Sequence, residues 1–146
     1  MNRLRVPTIL FILAAAVSLA LSQQTEHGGR PITATLTGAA EVPGPGDPDG
    51  AGTFKGTINP GQGQVCYELR VSNIATPNAA HIHTGGPKDA GPVLVTLQTP
   101  TNGIAKDCVS VERDTLQDLI KDPSKYYVNV HNAEFPDGAV RGQLSK

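Results

Sequence analysis

The chain has no tryptophan and only three tyrosines and three phenylalanines, so a core of interlocked large rings is excluded. Charge of one sign is also missing. The formal net charge is −1, which gives no basis for a nucleic-acid partner or for electrostatic attraction to an anionic membrane surface. The sequence carries no Gly-x-Ser-x-Gly elbow, so a hydrolase triad built from Ser110, His131 and Asp114 has no supporting context. No glycine-rich phosphate loop leads into a helix. Glu41, Glu68 and Glu134 offer carboxylates, but nothing pairs them at a spacing that suggests acid–base chemistry. No internal repeat of useful length is present.

Long hydrophobic runs are scarce as well, with one exception at the amino end. Arg3 and Arg5 precede an almost uncharged run from Val6 to Leu21, which ends at Ala20-Leu21-Ser22. Its small residues fit a small-x-small cleavage site before Gln23. A spanning helix needs about 20 apolar residues, and this run offers about 16, interrupted by Pro7 and Ser18. Residues 1–22 therefore read as a secretory signal peptide, giving a secreted or periplasmic protein with no membrane attachment after cleavage. No cysteine follows the run, which argues against a lipid anchor. If the segment were retained, the domain would be tethered at a membrane.

About 124 of the 146 residues remain, enough for one domain with one core. Sixteen glycines and twelve prolines favour short strands joined by turns over a helical bundle. Residues 23–31 read as a polar, flexible tail and residues 32–146 as the domain. Ile32–Leu36 alternates like a half-buried strand, and Gly44–Gly50 is a loop. Its two aspartates lack the spacing of a helix-loop-helix calcium site. Thr53–Ile58 and Gln64–Val71 form a hairpin that places Val65, Tyr67, Leu69 and Val71 on one face. Further strands are expected at Ala79–His83, Pro92–Leu97, Ile104–Val111, Tyr126–His131 and Ala139–Leu144. One helix is expected from Asp114, as its cap, to Lys121. Seven or eight strands with one short helix make an all-β, Greek-key sandwich or barrel. The only two cysteines, Cys66 and Cys108, are expected to form one disulfide in an oxidising compartment; two buried thiols are the other reading.

Three histidines carry the chemical signal. In Ala80-His81-Ile82-His83 the alternation puts His81 and His83 on the same face, with Cα atoms about 6.5–7 Å apart at a rise of ~3.3 Å per residue. In Tyr127-Val128-Asn129-Val130-His131, Val128 and Val130 belong to the core, which turns Tyr127, Asn129 and His131 away from it. If the two strands pair, three neutral imidazoles meet. That donor set suits copper, or less well zinc, with water or Asn129 as a fourth ligand. Hydrogen-bonding sheet histidines with no metal are the alternative. Arg141 is either a structural ion-pairing residue or an anion-attracting group beside the histidines.

These residues resemble the CHRD domain. The likeness rests on Leu36-Thr37-Gly38 with Glu41-Val42-Pro43, Cys66-Tyr67-Glu68-Leu69, Ala80-His81-Ile82-His83 and Gly91-Pro92-Val93. It continues through Tyr127-Val128-Asn129-Val130-His131 and Phe135-Pro136-Asp137-Gly138-Ala139-Val140-Arg141-Gly142-Gln143-Leu144. The resemblance implies an extracytoplasmic β-sandwich of immunoglobulin-like or Greek-key type, with the histidines as family features and no general activity. A looser likeness to the copper-zinc superoxide dismutase barrel implies copper-ligand roles for His81, His83 and His131 and an anion-steering role for Arg141. The additional ligands of a zinc subsite are missing here, so dismutation is an analogy of architecture. Two functions follow as expectations. One is a single-ion metal domain with superoxide-consuming chemistry; the other is a structural module that binds a protein or matrix partner.

Overall fold

Period-two alternation dominates the structure, a computed structural model that describes residues 29–146. The expected signal peptide lies outside the described residues. Eight strands are present: β1 (Arg30–Thr37), β2 (Ala51–Asn59), β3 (Gln64–Ser72), β4 (Pro77–Thr84), β5 (Val93–Thr96), β6 (Ile104–Ser110), β7 (Tyr126–Asn132) and β8 (Val140–Gln143). Among the described residues one α-helix, α1 (Arg113–Lys121), sits between β6 and β7. β1 starts at Arg30, two residues inside the stretch expected to be tail, because Arg30 and Pro31 pair with Ile58 and Thr57. Asp114 does not cap the helix. Glu112 holds the cap position without a side-chain bond, and Asp114 lies in the first turn, where its charge favours the positive end of the helix dipole.

The strands form one antiparallel sheet in the order β5-β4-β7-β8-β1-β2-β3-β6, so the expected sandwich or barrel takes the form of a single sheet curled into a half-barrel. β1, β2 and β3 are successive hairpin neighbours. The connections β3–β4, β5–β6 and β6–β7 cross between the two halves. The curl buries one side of nearly every strand: Ile32, Ala34 and Leu36 of β1 meet Phe54 and Ile58 of β2, Ile82 of β4, and Val128 and Val130 of β7. Leu116 and Leu119 bring the apolar stripe of α1 into this core. Strand edges attract foreign strands. Here β5 is only four residues long, and β6 carries Lys106 and Asp107.

Cys66 and Cys108 face one another across β3 and β6 and are disulfide-bonded, as expected. The bond ties edge strand β6 to the sheet. Lys106 and Arg70 share the nearby Glu68 carboxylate in exposed ion pairs, which contribute little. Closing 42 residues of sequence removes loop entropy from the unfolded chain worth about 4 kcal/mol. A Cys66→Ser, Cys108→Ser variant should lose stability of that order in urea unfolding, while the folded sheet keeps its strand pairing. A loss below about 1 kcal/mol would mean that the unfolded chain does not feel the constraint.

Candidate metal centre

The register of β4 against β7 creates the site. His81 lies opposite Asn129, His83 opposite Tyr127, and Ala79 opposite His131. With Ala80, Ile82, Val128 and Val130 committed to the core, the polar set has to emerge on the other face. Ring centroids are 5.1 Å apart for His81–His131, 5.4 Å for His81–His83 and 6.4 Å for His83–His131. One ligand nitrogen from each ring lies within 4.8 Å of the others. A single tetrahedral ion with bonds of about 2.1 Å holds its ligands about 3.4 Å apart, so the rings need to close by up to about 1.4 Å. His81 and His131 are only half-buried and have room to do so.

Backbone carbonyls decide which nitrogens are free. His83 Nδ1 donates to the Gly91 carbonyl at 2.9 Å, and His131 Nδ1 donates to the Pro136 carbonyl at 3.0 Å. A carbonyl only accepts, so both protons sit on Nδ1 and both Nε2 atoms carry lone pairs. His131 Nε2 accepts from His81 Nδ1 at 3.2 Å, which leaves His81 Nε2 unprotonated. Asn129 Oδ1 lies 3.1 Å from the same His131 Nε2; an amide oxygen cannot donate to it, so the amide is favourable there only with its oxygen and NH2 group exchanged. His83 Nε2 is buried and has no hydrogen-bond partner. Such a buried orphan costs about 1–3 kcal/mol, and coordination to an ion would satisfy it.

Burial favours the neutral form of His81 and His131. Burial holds the pKa of His81 below the ordinary value, and the charges of His131 and His83 push the same way. Burial also lowers that of His131, against the Pro136 hydrogen bond. Neutral imidazole is the form that binds metal. The donor set fits a transition metal with room for a further ligand, and the carbonyl bonds behind His83 and His131 are the outer-shell support that orients ligating histidines.

Arg141 stands opposite Asn129 on β8, on this same face, but it does not look out into solvent. Its side chain is 1% exposed. The guanidinium lies 3.4 Å from the Tyr127 ring centroid and donates to the Asp89 and Gly86 carbonyls at 2.9 and 2.7 Å. The Tyr127 ring in turn stacks on His83 at 4.8 Å. Thus the group expected to attract anions faces a ring and two carbonyls. Ser110 and Asp114 make no contact with His131, whose ring nitrogens are occupied by His81, Asn129 and Pro136. Sequence reasoning placed Tyr127 on the right face but missed its stack. It also found no partner for Glu41, which lies buried near Arg141 with neither carboxylate oxygen hydrogen-bonded. A side chain at position 138 would strike that carboxyl, and Gly138, with φ of 143°, leaves the space. The Glu-Val-Pro and Gly-Ala-Val-Arg blocks were the available signal that these segments meet.

Burial drives the Glu41 carboxyl up from 4.5 to about 7, against the pull of Arg141 and of the adjacent Val42 amide, which is too poorly aligned for a full hydrogen bond, and with help from Asp137. The unfolded chain loses this proton near 4.5 and the folded chain near 7. The stabilising contribution is therefore fully present below the unfolded value and is lost as pH rises through the folded one. Glu41→Gln keeps the neutral shape. Its melting temperature relative to the parent should climb between pH 4.5 and 7.5. A difference that stays flat with pH would show that the ionised carboxylate costs nothing.

No curated protein matches the chain. The family model of the CHRD domain matches residues 32–144, which include every strand from β2 to β8, all but the start of β1, and all three clustered histidines. The disulfide and this match together fit an extracellular domain. On that match, the chain belongs to the CHRD domain family.

Proposed function

We propose that the protein is an exported domain that binds one transition-metal ion, copper in preference to zinc, through His81, His83 and His131. The observation that carries this reading is the buried, unpartnered Nε2 of His83 within reach of two other imidazoles. Three neutral nitrogen donors without thiolate or carboxylate suit copper, which also stands highest among the divalent first-row metals in intrinsic affinity. Copper with an open position supplies one-electron chemistry, and dismutation of superoxide is the most concrete reaction for it. The chain's own part is to hold three rings in one protonation state, with Asn129 or water as a further donor. Removal of residues 1–22 belongs to the same reading, since an oxidising compartment both permits the Cys66–Cys108 bond and keeps competing thiols away.

Copper(II) added to the purified mature domain should bind at one ion per chain, with nitrogen superhyperfine structure in the electron paramagnetic resonance spectrum. The His81→Ala, His131→Ala pair should weaken binding by about 100-fold or more, beyond the 10–100-fold typical of outer-shell changes. Affinity should fall as the medium is acidified, because protons compete for the imidazoles. The lowered pKa values of His81 and His131 set that loss at more acidic pH than for free histidine. Absence of binding at micromolar metal, or binding untouched by the double substitution, would leave an interaction module for a protein or matrix partner. A copper form that does not consume superoxide would restrict the function to binding. Amino-terminal sequencing of the exported protein should begin at Gln23; a retained leader would contradict the export reading.

A further inference from the structure

We infer that Arg141 is a positioning residue for the metal-binding histidines, acting through the 85–91 segment and the Tyr127 ring to hold His83 in its ligating tautomer. Whether that tautomer serves a metal rests on the function proposed above; the clamp itself does not.

The connection runs through named atoms. Arg141 ties Gly86 and Asp89 to the sheet by its two guanidinium bonds, and Gln143 ties Gly85 by its side-chain amide at 2.6 Å. The far end of the segment, Gly91, is met by the Tyr127 hydroxyl, which lies 3.2 Å from its amide nitrogen and 3.4 Å from its carbonyl oxygen. That same carbonyl accepts the His83 Nδ1 proton. The second route is a stack. The guanidinium covers one side of the Tyr127 ring, and His83 lies against that ring with only 7° between the planes. Both routes end on His83, one fixing its proton and the other its ring plane.

A general structural role does not account for this arrangement. Burying a guanidinium is expensive, and an apolar side chain of similar volume would fill the space at lower cost. What the guanidinium adds is a rigid fork that reaches two carbonyls at once while stacking on a ring. Lysine has the charge without the fork.

The test starts with metal-free protein. Imidazole nitrogen NMR should show His83 of the parent as the single Nδ1–H form. Arg141→Lys should mix the two tautomers and speed amide exchange across Gly86–Gly91 by about 10-fold or more. Removing Arg141 also strips Glu41 of its nearby positive charge, so the double variant Glu41→Gln, Arg141→Met guards against simple unfolding. Tyr127→Phe keeps the ring stack and deletes only the contacts to Gly91, so a smaller shift in the same direction is expected. Copper affinity should follow the tautomer, falling about 10–100-fold in the Arg141 variants. Folded variants that keep the single His83 tautomer and the parental exchange rates would overturn the inference. Altered tautomers with unchanged copper affinity would overturn its link to metal binding. If the parent binds no copper while the tautomer still responds to Arg141, the metal reading fails and the clamp stands.

Discussion

The antiparallel register between β4 and β7 is the constraint on which the site depends. Each strand gives alternate residues to the curled core: Ala80 and Ile82 from β4, Val128 and Val130 from β7. A one-residue slip would drive His81 and His83 into that core and expose Ile82, at a cost of several kcal/mol in lost apolar burial and orphaned imidazole nitrogens. The hydrophobic effect, which has no interest in histidine, thus sets where the histidines stand. Pairing then places Asn129 beside His81 and Arg141 beside Asn129.

The outer face of these strands is not an ordinary solvated face. Tyr127, Asn129 and Arg141 are nearly inaccessible because the 85–91 and 133–138 segments fold over them. A face that is polar and buried must satisfy its groups internally. Most of this one does so through loop carbonyls, which accept from Arg141, Gln143, His83 and His131. The exceptions are the Glu41 carboxylate and His83 Nε2. Protonation resolves the Glu41 problem, because burial raises that carboxyl from 4.5 to about 7. The remainder of the molecule acts as a platform: β1, β2 and β3 complete the curl, and the disulfide secures the β6 edge far from the histidines in strand order.

Strand positions were legible in the sequence wherever alternation was clean, as in Ile32–Leu36 and Gln64–Val71. They were less legible where pairing extends a strand past its apolar pattern. Arg30 and Pro31 join β1 only because β2 runs alongside them. The histidine set was readable because period two puts His81 with His83 and turns His131 off the core. Asp114 misled because a good capping residue in sequence does not say where the preceding strand releases the chain, and here the cap position falls two residues earlier, at Glu112.

By itself the sequence determined an all-β chain with one disulfide pair and three histidines held off the apolar face. Local periodicity and composition suffice for those. Only the tertiary structure decided that β7 lies between β4 and β8, because strand order depends on crossovers that no local pattern encodes. That order buries the Arg141 guanidinium against the Tyr127 ring and two loop carbonyls. It also gives Tyr127 a stack and leaves one nitrogen of His83 without a partner. The physical reason is that hydrogen-bond satisfaction in a buried polar face is a long-range property: the carbonyls that orient His83 and His131 come from loops whose placement depends on the completed sheet.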